Sequence, residues 1–193
     1  EMQRSLVGSE MCIRDSAYPG ERNTTDAHRR TMIKHGWSKL FNVDILDAEG
    51  PDLELPIPNG KRIQKNLVGK DIKNYDSMLV LSHFKGHPMG GFGGALKQLS
   101  IGCASSAGKA NIHGAGKPEE MWTTEQNAFL ESMADAAESV VKLFDGKIVY
   151  INVMKNMSVD CDCCAVAEAY GVLLYCHCLL YTSPSPRDYA ASR

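Results

Sequence analysis

Two stretches of this chain carry residues whose types and spacing suit chemistry. The first is Ser82-His83-Phe84-Lys85-Gly86-His87-Pro88-Met89-Gly90-Gly91-Phe92-Gly93-Gly94-Ala95-Leu96-Lys97. A histidine titrates near neutral pH or binds a metal as neutral imidazole. A lysine supplies a fixed charge or a nucleophilic amine. Glycines let backbone N–H groups come close to a ligand. If Gly93-Gly94 opens a helix, the free N–H groups there favour an anion. His83, His87 and Lys97 are therefore candidate catalytic residues, and Gly93, Gly94 and Lys97 a candidate cofactor-binding set. His113 lies beyond a second small-residue loop, Gly102 to Gly108, from which it can return to the same pocket. The bland alternative is a glycine-rich turn with solvated side chains. A Walker loop is excluded because no Gly-Lys-Ser/Thr follows, and the glycine spacing is not that of a dinucleotide fingerprint.

The second stretch is Asp160-Cys161-Asp162-Cys163-Cys164. Thiolates are the ligands of zinc and of iron–sulfur clusters. One residue separates Cys161 from Cys163, whereas the ferredoxin pattern places two between its cysteines. A four-cysteine site therefore needs Cys103 or residues from elsewhere. The flanking aspartates raise thiol pKa values, which works against a thiolate unless a metal is present. Cys161, Cys163 and Cys164 are the candidate metal ligands, with His113 as a separate one.

Both stretches follow apolar runs. Met78-Leu79-Val80-Leu81 has the length and composition of a strand buried on both faces. Lys147-Ile148-Val149-Tyr150-Ile151-Asn152-Val153 reads as a second such strand. In open α/β sheets ligands bind at the carboxyl ends of strands, so both candidate sites fall where a site belongs. Between them, Phe129, Met133, Ala136, Ala137, Val140, Val141 and Phe144 recur at helical spacing and Gly146 stops the helix. Thr123-x-x-Gln126 predicts a capping box in front of it. Asn23-Thr24-Thr25-Asp26 offers N-caps for an earlier helix ending at Gly36. Val43-Asp44-Ile45-Leu46 predicts a short strand, and Gly50 to Gly60, with three prolines, a loop or edge segment. Strands alternating with helices predict an α/β layered domain, with a mainly parallel sheet flanked by helices and truncated at both ends.

The ends read differently from the interior. Leu6 to Asp15 and Cys178 to Asp188 back-translate to one inverted DNA repeat, which resembles the adapter of transposase-based library preparation. Residues 1–16 are therefore expected to be adapter-derived, 17–169 a single α/β domain fragment, and 170–193 an ambiguous segment followed by adapter. Seven cysteines then reduce to Cys103, Cys161, Cys163 and Cys164, with Cys176 unassigned. Three within four residues suit metal or redox chemistry in a reducing, cytoplasmic compartment better than a disulfide framework. A net charge of -2 argues against nucleic acid, which needs a clustered basic face. No interior stretch is apolar for the length of a membrane span.

Tyr18-Pro19-Gly20-x-Arg22-Asn23, His83-Phe84-Lys85-Gly86-His87, Gly93-Gly94-Ala95-Leu96-Lys97 and Val159-Asp160-Cys161-Asp162-Cys163 occur in the order of domain-of-unknown-function family 362, which this chain resembles from Tyr18 to Ala169. Members of that family are often labelled iron–sulfur-centre proteins, with cluster cysteines further toward the C-terminus. The resemblance implies an iron–sulfur-associated protein with oxidoreductase as its candidate activity, its cluster held mainly outside this fragment, and an electron-transfer partner. A shorter stretch, Gly91-Phe92-Gly93-Gly94-Ala95-Leu96-Lys97, resembles the nickel-pincer lactate racemases but lacks their Ser and Arg. That resemblance implies a nickel-containing cofactor on Lys97, nickel bound by His113, His87 as acid/base, and racemase or isomerase chemistry on 2-hydroxy-acid-like substrates. A third expectation is a non-catalytic module that holds a small anionic molecule.

Overall fold

The computed structural model describes residues 5–8, 24–48, 53–154 and 179–181. Cys161, Cys163 and Cys164 lie outside these residues. The architecture is α/β. Its main sheet runs β1 (Ser5–Gly8), β4 (Ser77–His83), β7 (Ile148–Val153), β8 (Leu179–Tyr181). β4 and β7 are the central pair, parallel, in register from Met78↔Ile148 to His83↔Val153. β1 joins β4 in parallel and β8 joins β7 antiparallel. The central pair thus comes from the 17–169 interior, and the two edges come from the end segments.

Parallel strands need a long crossover, and residues 84–147 supply it. This crossover holds the antiparallel hairpin β5 (Lys85–His87) and β6 (Gly91–Gly93), then α2 (Ala95–Lys97), α3 (Ser106–His113) and α4 (Gln126–Leu143). α2 runs directly into a π-helical stretch, Gln98–Gly102. α4 carries the predicted apolar stripe. Phe129, Met133, Ala136, Ala137, Val140 and Phe144 are all buried, and Gly146 (φ +76°) turns the chain into β7. The stripe's C-terminal half packs with Met78, Val80, Ile148 and Tyr150 of the sheet, and its N-terminal half with Ile57, Ile63, Ile101 and Ile112.

Two local expectations differ from the structure. The capping box does not form, because Thr123 and Thr124 both donate their hydroxyls to the Glu120 carbonyl; Glu125 occupies the N-cap position without a side-chain cap. Val43 to Leu46 is not a strand. Ala48 donates to the Ile45 carbonyl in a turn, and the Leu46 carbonyl is taken by the Asp71 N–H rather than by a ladder. The glycine-rich segment folds as a β-hairpin. The first helix is found as α1 (Thr25–Lys34), capped by Thr24 Oγ1 accepting from the Ala27 N–H and followed by Gly36 at φ +82°. The proline-rich segment contributes β2 (Leu53–Pro56), paired with β3 (Lys65–Val68) in a separate two-stranded sheet.

β3 is fastened to the crossover at a tight point. Ser105 donates to the Leu67 carbonyl, and a Cβ placed on Gly108 would sit 2.0 Å from that same oxygen. Only glycine permits this approach. The turn before β3 is fastened to α4 by Asp135, whose buried carboxylate accepts from the backbone N–H groups of Lys61, Arg62 and Ile63 at 3.0, 2.6 and 3.1 Å. Glu131, one turn earlier, forms exposed ion pairs with Lys61 and Arg62, which hold its carboxyl below the usual range.

Asp135→Ala should lower stability by about 2 kcal/mol or more in urea unfolding, since each buried donor left unmet costs about 1–3 kcal/mol. Glu131→Ala should have a much smaller effect, because exposed ion pairs contribute little. Equal shifts for the two variants would contradict the role given to Asp135. Cys103 supplies a second prediction. It is buried in the sheet-side core, and burial pushes its thiol up to about 12, with Lys109 opposing. It should resist alkylation at pH 8 until the chain unfolds, as read by peptide mapping. A raised folded-state pKa stabilises fully below the unfolded value and loses that contribution as pH climbs from about 9 toward about 12.

Candidate functional site

The C-terminal ends of β4 and β7 form the floor of the site. Strand alternation decides which side chains reach it. Met78, Val80 and Ser82 of β4 are buried on the face covered by α4 and α2, and Ile148, Tyr150 and Asn152 of β7 share that face. Register places Ser82 beside Asn152. His83, one residue later, belongs to the opposite face with Leu79 and Leu81. The structure therefore does not bring His83 to the face that carries Lys97.

Ser82 is fully buried, and its hydroxyl donates to Gln98 Oε1 at 2.7 Å. Asn152 meets the start of α2, where its Oδ1 accepts from the Ala95 N–H at 3.0 Å. A Cβ on Gly94 would lie 3.1 Å from that oxygen and 3.4 Å from the Phe84 ring. Gly94 is thus required for close packing, not for a left-handed backbone: its φ of −176° is extended. Gly93 and Gly94 do open a helix, as expected, but the N–H of Ala95 is already committed to Asn152.

Lys97 sits where α2 passes into the π-helical stretch and is 1% exposed, the largest fully buried side chain among the described residues. π-helical turns are frequent at functional sites. The carbonyls of Leu96 and Lys97 are met by the Ser100 hydroxyl at 3.0 and 3.2 Å. Lys85, at the base of the hairpin, is also buried.

The remaining two histidines meet at one ring. Phe129 of α4 is 0% exposed. The His87 imidazole lies 6.3 Å from its centroid and the His113 imidazole 5.0 Å, both nearly parallel to it. The backbone fixes opposite tautomers for the two. The Gly90 N–H donates to His87 Nδ1 at 2.9 Å, so the His87 proton is on Nε2. His113 Nδ1 donates to the Lys109 carbonyl at 2.7 Å, so its Nε2 carries the lone pair when the ring is neutral. The hairpin that carries His87 is steadied by the Phe84 and Phe92 rings, stacked 5.3 Å apart.

The histidines do not assemble into a metal set: among the described residues no three His, Cys, Asp or Glu side chains come together as one. Cys103 is buried, and burial raises its thiol pKa, with Lys109 opposing. Among the described residues no helix is long and apolar enough to cross a membrane. Sequence reasoning passed over Ser82, Gln98, Phe129 and Asn152 as site residues. The available signal was a polar residue closing each apolar strand, Ser82 after Leu81 and Asn152 after Ile151.

No curated protein and no solved structure matched this chain. A family model did match, over residues 4–174. That span covers β1 to β7, the histidine hairpin and the crossover helices just described, and the chain belongs to the family described as Domain of unknown function (DUF362).

Proposed function

We propose that this chain binds a small carboxylate at the C-terminal ends of β4 and β7 and moves a proton on it. The observation that carries this reading is the pair of opposite tautomers against Phe129. His113 is the base, taking a proton from the substrate carbon onto Nε2. The electron pair left behind moves to the carbonyl oxygen of a 2-oxo acid, giving its enolate. His87, neutral with its proton on Nε2, donates a hydrogen bond to that oxygen as charge develops there. A neutral imidazole used as an electrophile in this way is a known catalytic device. Returning the proton to either face of that carbon exchanges it with solvent and epimerises the carbon where it is a stereocentre. The roles differ from those the racemase resemblance implies: base duty falls to His113 and oxygen contact to His87.

Deuterium wash-in tests the reading. The protein in D2O should exchange the methyl protons of pyruvate faster than buffer, followed by proton NMR. His113→Gln and His87→Gln should each slow the exchange about 100-fold, within the range of one positioned acid–base group. Exchange no faster than buffer, or unaffected by either variant, rejects the proposal.

The iron–sulfur reading, with possible oxidoreductase activity, rests on the spacing of Cys161, Cys163 and Cys164 and on the family resemblance. Protein purified without oxygen and assayed for iron and acid-labile sulfide separates the two. Matching iron and sulfide, lost on replacing the three cysteines with Ser, would place the chemistry at the cysteine run. Iron-free protein that exchanges pyruvate protons would place it at the histidines.

A further inference from the structure

We infer that Asn152 is the residue that recognises the carboxylate of the substrate. The inference rests on the proposed site at the ends of β4 and β7, and adds to it a recognition group that neither motif comparison nor spacing pointed to. The argument begins with the amide's orientation. Side-chain amides are ambiguous between two flips until a hydrogen bond decides. Here the partner is the backbone N–H of Ala95, which can only donate, so the atom it meets must be Oδ1. The Nδ2 group therefore points away from α2 and carries both N–H donors.

Those donors make no hydrogen bond to a described residue, and Asn152 is only half-buried. Asn152 is the last inward-facing residue of β7 and pairs with Ser82 of β4, at the strand ends where the proposed site lies. The setting is rigid. Gly94 leaves 3.1 Å between its would-be Cβ and Oδ1, and the Phe84 ring closes the other side. A donor pre-aimed in this way loses little freedom when a ligand arrives. A carboxylate matches it, because charge-assisted hydrogen bonds to an ionised acceptor are about twice as strong as neutral ones. An asparagine at this position is otherwise a poor strand residue. A single cap on Ala95 would be served equally well by aspartate.

That last point supplies the test. Asn152→Asp keeps the acceptor for Ala95 and the size that Gly94 allows, but turns the outward donors into a carboxylate oxygen. Pyruvate and L-lactate binding by the whole chain would be measured by saturation-transfer NMR, with methyl pyruvate as the uncharged comparison. Thermal unfolding would be followed in parallel. The expected result is binding of both acids at least about tenfold weaker in Asn152→Asp, the neutral ester little changed, and a melting temperature close to that of the unaltered protein. Equal binding of the acids by the two proteins overturns the inference and leaves the histidine chemistry standing. Loss of binding in Asn152→Asp together with unchanged proton exchange in His113→Gln supports Asn152 and rejects the histidine reading instead. An unaltered protein that binds neither acid overturns both.

Discussion

Everything in this domain hangs on the parallel pairing of β4 with β7. Two parallel strands cannot be joined by a tight turn, so the chain must leave the sheet, cross its face and return. The crossover here spends its length on a hairpin, three helices and the connections between them, and all of it lands on one face of the sheet. Register then does the rest. Because Ser82 lies beside Asn152, the two strands end together, and the last inward-facing residue of each is polar. A slip of one residue would turn both outward and put His83 and Val153 in their place. The placement of the site is thus a consequence of strand pairing and not of any loop.

The histidine pair shows how backbone decides chemistry. Each ring nitrogen Nδ1 meets a main-chain group three or four residues away. The hairpin turn offers an N–H to His87, and the last turn of α3 offers a carbonyl to His113. The difference between the two tautomers therefore comes from one histidine lying in a turn and the other at a helix end. Phe129 gives both rings a common apolar wall. α4 delivers that ring because its stripe has helical period, and the hydroxyl of Ser132 ties α4 to α3 through the Ile112 carbonyl.

Much of the frame was legible in the sequence. The two central strands and α4 are long or strongly periodic, and their burial follows the apolar pattern residue by residue. What escaped was set by tertiary contacts. Val43 to Leu46 has the composition of a strand but finds no partner, and its carbonyl serves the start of another turn. Thr123 has the spacing of a capping box, yet the preceding turn claims its hydroxyl first. The glycine-rich segment pairs with itself across Lys85↔Gly93 and His87↔Gly91, a register that no local pattern announces. His83 was grouped with His87 by proximity along the chain, but period-2 alternation turns it to the other side of the sheet. Asn152 was hidden inside an apolar run, where its contact with Ala95, far back along the chain, is invisible.

The buried polar residues divide into two sets, and the division bears on function. Asp135, Asn66, Ser105, Ser132 and Ser139 each bond to backbone or to one another across elements, and so act as fasteners of the fold. A second group, Ser82, Lys85, Lys97 and Gln98, is buried from the end of β4 through the hairpin to α2 and its π-helical continuation, with Ser82 and Gln98 bonded to each other side chain to side chain. Burying an ammonium group is expensive even when it is paired, and an apolar side chain of similar volume is often as stable or more so. Fold stability alone would therefore not gather this second set. Ser82 and Gln98 meet at the C-terminal end of β4, and Lys97 lies where α2 passes into the π-helical stretch.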